Sequence, residues 1–284
     1  MRRSFHWRGL LQVIVPIVLV LAVFALWELL AVTVYKGQEY VLPRPGSVFS
    51  QLGTDWDVLQ PDVVQTVKEF VLGFFAGVGV GFALAVAMSY SQILRHGLYP
   101  ALIATQAVPV IAIGAALVIW LGFGLTPKIV IVALFIFFPV LVNVLDGLSN
   151  VDEDVVSLAR AMGANDFRIF LHIRFPATLT PLFSALKLAA TFAVTGAVLG
   201  EWTASTTGGV GSYLLEQSSR LNTAGTFAAI LLLAAIGIVG FLIVAGAERL
   251  ATPWRTRATP RRLPFHRPAE MPRRAPESIK GGNS

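Results

Sequence analysis

The sequence predicts an all-α integral membrane protein with about six transmembrane helices. Hydrophobic residues make up 55% of the 284-residue chain and charged residues only 13%, roughly half the charged fraction usual for soluble domains. Six apolar segments follow one another, and each approaches or exceeds the roughly 20 residues that a bilayer span requires. They run from Leu10 to Val34, Val63 to Tyr90, Ala101 to Leu121, Lys128 to Leu145, Leu182 to Trp202 and Thr223 to Ala247.

The first segment resembles a secretory signal peptide at its start, where Arg2, Arg3 and Arg8 precede the apolar run. The run is too long for a signal peptide and lacks a small-residue cleavage site. Its single charge, Glu28, opposes insertion by at most about 3 kcal/mol, whereas the surrounding aliphatic and Phe side chains favour it by roughly 6 kcal/mol. We therefore interpret residues 1–35 as a cytoplasmic N-terminus with a retained first transmembrane helix.

Residues 36–62 are expected to form an extracytoplasmic loop. The Leu-Pro-Arg-Pro sequence at residues 42–45 favours a stiff, extended entry, because proline fixes its own φ angle. Val48, Phe49 and Leu52 then recur at helical spacing. This pattern predicts a short helix that lies on the membrane surface.

Glycines crowd one stretch of the second span, at Gly73, Gly77, Gly79 and Gly81. Small residues spaced by four let helix backbones approach closely in lipid. The pattern therefore predicts tight packing within the bundle. The alternative is a smooth face along which helices slide during gating.

Five residues in the later spans are candidates for a translocation pathway: Thr105, Gln106, Asn143, Glu201 and Trp202. Glu201 is the foremost, because an ionisable residue inside a span indicates a functional site, and Trp202 beside it could stack on a planar ring. Both lie near the outer end of the fifth span, where an interfacial aromatic ring and a hydrated carboxylate are common. For the other three residues, hydrogen bonding between helices is favoured over contact with solute.

Two prolines lie inside predicted spans, Pro109 in the third and Pro139 in the fourth. Both are expected to interrupt and bend their helices. Such bends are consistent with gating but do not require it.

The longest polar segment between spans covers residues 148–181. A helix is predicted from Val151 to Ala161, because Asp152, Glu153 and Asp154 occupy its first turn, where the positive end of the helix dipole favours them. Apolar residues then recur at three- and four-residue spacing, namely Val155, Leu158, Ala159 and Met162. Gly163 is expected to end this helix with a left-handed cap.

A second short helix is predicted from Asp166 to Ile173. It is expected to end before Pro176, since proline lacks an N–H group and restricts the residue before it. The two helices would form a projection with an apolar ridge and a rim of Arg160, Arg168 and Arg174.

Three parts of this loop follow one pattern: Ser157-Leu158-Ala159, Gly163-Ala164 and Ile173-Arg174-Phe175-Pro176. The pattern resembles that of the permease subunits of bacterial ATP-binding-cassette (ABC) importers, in which Glu-Ala-Ala is followed by Gly-Ala and then by Ile-x-Leu-Pro. Two departures are visible: Ser157 stands where the family usually has Glu, and Pro181 lies one position later than the common second proline.

The resemblance implies the type I importer permease fold and a cytoplasmic coupling helix that docks in a cleft of a separate ATPase. The residues implied to form the docking surface are Ser157, Leu158, Ala159, Arg160, Met162, Gly163, Ala164 and Phe167. It also implies a homodimer of permeases, two copies of the ATPase subunit, an extracytoplasmic substrate-binding protein and a bacterial inner membrane. No cofactor is expected in this chain, because ATP would bind to the partner ATPase, and the sequence has no phosphate-binding Gly-x4-Gly-Lys-Ser/Thr loop.

The resemblance extends from about Tyr40 to Leu250 and narrows to one group of these permeases. This narrower resemblance rests on three parts of the sequence: residues 42–45, the segment Leu186-Lys187-Leu188-Ala189-Ala190-Thr191, and Gly200-Glu201-Trp202 followed by Gly208, Gly209 and Gly211. They resemble the nitrate, sulfonate and taurine group, which also includes permeases for thiamine pyrimidine precursors and riboflavin-like compounds. The Gly-Glu-Trp variant favours a heterocyclic substrate over a sulfonate-, nitrate- or taurine-like anion.

Charge asymmetry predicts that both termini are cytoplasmic. With the N-terminus inside, only five of the 22 basic residues lie on the outer side: Lys36, Arg44, Lys68, Lys128 and Arg220. This asymmetry agrees with the positive-inside rule. This orientation accounts for the net charge of +6 without nucleic acid binding. Residues 63–250 would form the core, and residues 251–284 a disordered basic tail, either simply solvated or attracted to anionic lipid headgroups.

The rival prediction is a stand-alone secondary transporter or channel. Such proteins usually carry buried acidic residues or broken half-length helices near the middle of the membrane. Here the acidic residues of the spans, Glu28, Glu69 and Glu201, are all expected near the outer side. A membrane enzyme is disfavoured, since the spans show no carboxylate pair, metal-ligand cluster or activated nucleophile.

Overall fold

The computed structural model describes residues 7–204 and 208–253, without the side chains of residues 7–13 and 16. The predicted disordered tail lies outside the described residues except at its start. The helices are α1 (Trp7–Thr33), α2 (Pro45–Thr54), α3 (Trp56–Tyr90), α4 (Gln92–Thr105), α5 (Val110–Leu121), α6 (Leu125–Ser149), α7 (Glu153–Ala161), α8 (Asp166–Ile169), α9 (Phe175–Ala204), α10 (Val210–Ser219) and α11 (Thr223–Ala251).

The prediction of an all-α membrane protein is confirmed. Within the described residues, four helical segments are long and apolar enough to cross a bilayer: Trp56–Tyr90, Leu125–Ser149, Asp166–Ala204 and Thr223–Ala251. The bent pair α4 and α5 adds a fifth if it counts as one span. Helix α1 is 27 residues long, and its part from Ile17 to Thr33 is apolar.

The predicted interruption of the third span at Pro109 is confirmed, because residues 101–121 do not form one continuous helix. Its two halves, α4 and α5, meet at an angle of 97°. The break covers residues 106–109, where Pro109 provides no N–H group for the helical ladder. The amides of Gln106, Ala107 and Val108 instead bond to carbonyl groups three residues earlier.

Helix α3 already begins at Trp56 and includes Pro61, so the last residues of the segment predicted as an extracytoplasmic loop, 36–62, are helical. The short helix predicted around Val48 is confirmed as α2, with Pro45 in its first turn. Val48 is fully buried, whereas Phe49 is 55% exposed. One face of helix α2 therefore packs against α11, so the helix is part of the bundle and is not held by the membrane surface alone.

Helix α6 forms the centre of the bundle, because it packs along both α3 and α9. Its buried face carries branched side chains, among them Val132, Ile136 and Val140, against which α9 presents alanines such as Ala189 and Ala193. Large side chains on one helix and small ones on its neighbour allow close interhelical contact in lipid. Pro139 lies within α6 without dividing it, so the predicted interruption of the fourth span is wrong.

The glycines of α3 provide the contact surface for α6. A Cβ atom at Gly73, Gly77 or Gly81 would collide with atoms of α6, whereas one at Gly79 would meet nothing within 4 Å. The prediction of tight packing is therefore confirmed for three of the four glycines. Gly79 belongs to the outer face of the helix.

Replacing Gly77 with valine is expected to destabilise the bundle by about 1–3 kcal/mol, the usual range for overpacking. The added side chain would collide with Ile136 and with the backbone of Ala133. Gly79→Val is the matched control, because it adds the same side chain two residues away in open space. The midpoint of thermal denaturation in detergent should fall for Gly77→Val and stay near wild type for Gly79→Val; equal midpoints would contradict the proposed contact.

Candidate functional site

The polar loop folds as a capped helix and turn. The Asp152 side chain accepts a hydrogen bond from the Asp154 amide at 2.9 Å and so caps the start of α7. At the other end, Gly163 has φ of +86°, and the amides of Gly163 and Ala164 bond to the carbonyls of Arg160 and Ala159. This pair of bonds is a Schellman cap, as predicted for Gly163. Both ends of α7 are therefore fixed by local chemistry.

A small apolar core holds the loop together from within. Val156 and Ala159 of α7 pack against Ile169 of α8, and all three are buried. Ala164 and Ile173 cover the edge of this cluster. The predicted apolar ridge therefore needs correction at Ala159, whose side chain faces the loop's own core rather than a partner surface.

The exposed apolar residues of the loop lie on its outer side. Leu158 is 62%, Met162 75% and Phe167 70% exposed. The Arg160 guanidinium lies beside them and pairs with Asp166 at 2.9 Å in a solvent-exposed ion pair. We name Leu158, Met162 and Phe167 the docking ridge. Such exposed apolar clusters with a polar rim mark interaction sites.

The loop continues without a break into the fifth predicted span. Helix α8 passes through a π-helical stretch, Phe170–Arg174, directly into α9, so that Asp166–Ala204 forms one 39-residue segment. The predicted end before Pro176 is wrong. Pro176 is the second residue of α9 and follows the π-helical stretch, so that the chain stays helical past it.

The end of the bundle opposite to α7 contains a fully buried ion pair. Lys128 Nζ of α6 lies 2.7 Å from Glu69 Oε1 of α3, and both side chains are 0% exposed. Gln65 donates a further hydrogen bond to Glu69 Oε1 at 2.8 Å. Lys128 also donates to the carbonyl of Gly208 at 3.2 Å. This ion pair joins two spans and the segment that follows α9.

Glu201 extends this cluster. Its Oε1 accepts from the Thr66 hydroxyl at 2.6 Å and its Oε2 from the Ser212 amide at 2.8 Å, and the residue is only 2% exposed. A Cβ atom at Gly209 or Gly211 would collide with the Glu201 carboxylate. The glycines therefore allow the backbone to wrap around a buried carboxylate. We name Glu69, Lys128, Glu201 and Thr66 the outer cluster.

Two further hydrogen bonds fasten the same region. Asp62 Oδ1 accepts from the Gly209 amide at 2.8 Å, and φ of +134° at Gly209 is a conformation that glycine adopts readily. The Tyr213 hydroxyl of α10 donates to Asp55. Burial and, secondly, this bond to a carboxylate raise the pKa of Tyr213 above its ordinary value, so that the phenol stays protonated.

A cavity of about 420 Å³ lies at the break of the third span. Its lining comes from the break itself, α6 and α9: Gln106, Val108, Pro109, Val110, Leu134, Phe135, Pro139, Phe192 and Thr195. Irregular backbone at membrane depth is tolerated where it lines such a cavity. The lining combines two phenylalanine rings with the amide of Gln106 and the hydroxyl of Thr195, which suits a small solute with a flat apolar face and a few polar groups.

Comparison with known proteins settles the class. Residues 77–252 match the family of binding-protein-dependent transport system inner membrane components. The chain belongs to this family of ABC importer permeases. A probable ABC transporter permease of Haemophilus influenzae is 33% identical over 228 residues, which cover 80% of this chain and 92% of the relative.

Several relatives of the permease are named for a substrate, and two of them represent different substrate classes. The formylaminopyrimidine transport permease ThiX of Halalkalibacterium halodurans is 29% identical, covering 90% of this chain and 99% of the relative. The taurine transport permease TauC of Escherichia coli is 28% identical, covering 89% and 94%. These matches confirm the resemblance to the nitrate, sulfonate and taurine group. The permease is accordingly a multi-pass membrane transport subunit.

The structure separates the five pathway candidates of the permease. Thr105 and Asn143 bond to carbonyl groups of their own helices, at Leu102 and Pro139, so the predicted bonding between helices is wrong for both. Gln106 lines the cavity at the break. Both Glu201 oxygens are occupied by protein donors.

Trp202 differs from Glu201 beside it. Its indole donates to the Gly211 carbonyl at 2.8 Å, and the residue is 41% exposed. It borders an open cavity of about 650 Å³ near Leu215 and Glu216. A stacking role for Trp202 stays a prediction.

Sequence reasoning missed the partners of Glu201 in the permease. Glu69 and Lys128 were predicted as charges at the outer margins of their spans, not as a pair. In the spans predicted from the sequence, Lys128 is the first residue, Glu69 the seventh and Glu201 the last but one, so that all three lie toward the outer side. This shared location of opposite charges on three spans was the available signal, since charges inside a membrane are expected to pair with one another.

Proposed function

We propose that this permease forms the translocation pathway of an ATP-driven importer and receives the ATPase motion through residues 151–176. The observation that carries the proposal is the docking ridge, an exposed apolar surface formed by Leu158 of the capped helix α7, its C-cap residue Met162 and Phe167 of α8. A rigid apolar patch with an arginine rim fits the cleft of a partner protein. The wider docking surface includes Ser157, Arg160, Gly163 and Ala164, while Ala159 supports it from below.

The proposed assembly has two permease copies in the lipid bilayer, two ATPase subunits and an extracytoplasmic binding protein. Both permease termini would be cytoplasmic, as the distribution of basic residues favours. The docking ridge then faces the cytoplasm and the outer cluster the opposite side. ATP would bind only on the partner ATPase, so the permease needs no cofactor of its own.

For the substrate we favour a small heterocycle, such as a pyrimidine precursor of thiamine. The cavity at the break supports this choice, because two aromatic rings and no charged side chain occur among its lining residues. The sulfonate group of taurine or of an aliphatic sulfonate would be expected to meet an Arg or Lys donor. The relative ThiX is named for formylaminopyrimidine transport.

A stand-alone secondary transporter is the alternative, and the broken third span is a feature that such proteins share. One experiment separates the two. The permease is purified from its native membrane in mild detergent and analysed by mass spectrometry, and the preparation is reconstituted with its binding protein. We expect an ATPase in near-equal amount and ATP-dependent uptake of a formylaminopyrimidine but not of taurine. Uptake by the permease alone, without ATP, would overturn the proposal.

A further inference from the structure

A polar cleft lies where the loop meets the end of α3. It has a volume of about 240 Å³ and is lined by Ser89, Tyr90, Arg160, Asp166, Ile169 and Arg174. The cleft is several times larger than the roughly 30 Å³ that one water molecule occupies in the liquid. It is separate from the docking ridge and from the cavity at the break of the third span, with which it shares no lining residue.

Arg174 leaves a buried donor unsatisfied in this cleft. Its Nε atom is buried and has no hydrogen-bond partner among the described residues. A buried donor on a charged group is costly when it lacks an acceptor, and such a group usually marks a bound water or ion. The residue is only partly buried as a whole, so its guanidinium borders the cleft.

The charge of the cleft selects the ligand. The Asp166 carboxylate already pairs with Arg160 at 2.9 Å, which leaves the charge of Arg174 in excess. The Ser89 hydroxyl donates to the Val86 carbonyl at 2.8 Å, so Ser89 offers mainly an acceptor. The available donors are therefore guanidinium groups and the Tyr90 hydroxyl. Planar guanidinium groups match phosphate oxygens in geometry and charge.

The position of the cleft is a second argument for a phosphate ligand. Tyr90 is the last residue of a membrane span and is 53% exposed, and tyrosines are typical of the depth at which lipid headgroups lie. Basic pockets at this depth on the cytoplasmic side are where anionic headgroups bind. That the cleft lies on the cytoplasmic side rests on the proposed function. The excess positive charge of the cleft does not depend on that orientation.

We propose that this cleft binds a phosphate group, supplied either by an anionic phospholipid or by free phosphate. Arg174, at the end of the π-helical stretch, would hold the phosphate oxygens, with Arg160 and Tyr90 as the flanking donors. A phosphate there would connect the end of α3 to the loop through one shared ligand. It would thereby restrict movement of the loop, and so of the docking ridge, relative to α3.

The test uses the full-length permease, delipidated in a neutral detergent. Inorganic phosphate is titrated by calorimetry, and phosphatidylglycerol binding is counted by native mass spectrometry against phosphatidylcholine. We expect saturable binding of at least one probe, weakened about tenfold or more by Arg174→Gln. Arg168→Gln removes the same charge from an exposed residue of the same segment, and it should change binding less than twofold.

The outcomes either identify the source of the phosphate group or reject the proposed phosphate site. Preference for phosphatidylglycerol with no uptake of inorganic phosphate assigns the site to a lipid headgroup, and the converse assigns it to free phosphate. Binding of neither probe overturns the proposal, as does an equal loss in the Arg174 and Arg168 variants. If Arg174→Gln does not fold, Arg174→Lys keeps the charge and removes Nε, and unchanged binding in that variant also overturns it.

Discussion

Replacing Lys128 with methionine is expected to lower the stability of the permease by roughly 3–5 kcal/mol, the usual cost of removing one partner from a buried ion pair. The substitution would leave the fully buried Glu69 carboxylate without its cation. It would also remove the hydrogen bond to the Gly208 carbonyl. The midpoint of thermal denaturation in detergent measures the effect.

Two comparisons make this prediction specific. Lys68→Met makes the same change at an exposed position beside Glu69 and should alter stability by less than about 0.5 kcal/mol. The double variant Lys128→Met with Glu69→Gln should recover much of the loss, because no unpaired charge then remains buried. A double variant as unstable as Lys128→Met alone would show that the ion pair is not the source of the loss.

Leu158→Asp is expected to weaken association with the ATPase strongly while leaving the fold intact. Leu158 is 62% exposed, so the new carboxylate costs little in the free permease but would be desolvated without a partner in an apolar cleft. Loss of a central apolar anchor typically costs about 2 kcal/mol or more in binding, which weakens association by roughly 30-fold. The ATPase recovered per permease in an affinity purification is the measurement.

Ser157→Glu is the matched control for Leu158→Asp. It adds the same charge one residue away, at an exposed position where the family usually has Glu, so association should be kept or strengthened. Ala159→Arg would not test docking, because Ala159 is buried and the new side chain would disrupt the loop's own core. Normal ATPase recovery with Leu158→Asp would mean that the docking ridge is not the contact surface.

The features that the sequence predicted well depend on local chemistry. The cap of α7 at Asp152 and its end at Gly163 involve residues within a few positions of one another. The glycine face of α3 was readable from its spacing alone, except at Gly79. The exposed residues of the docking ridge and the loop's buried core share the same periodicity, however, so the pattern could not tell Leu158 from Ala159.

The features that were missed depend on long-range contacts. Thr66 and Glu201 are 135 positions apart in the chain and Lys128 and Glu69 are 59 apart, so no local pattern joins them. The two prolines show a similar limit, because a proline can either remain within a helix or end it. The same local signal gave one correct prediction, the break at Pro109 with its 97° bend, and one wrong prediction, at Pro139 inside the continuous helix α6.

The continuous segment Asp166–Ala204 carries Phe167 of the docking ridge near its first residue and Glu201 near its last. These two residues are separated by roughly 50 Å along a helix that rises about 1.5 Å per residue. The segment includes the π-helical stretch Phe170–Arg174 and Pro181, yet it stays helical throughout and so connects the loop to the outer cluster without an intervening coil. Under the proposed function, a displacement of Phe167 by the ATPase would therefore have a single helical route to Glu201 on the far side of the membrane.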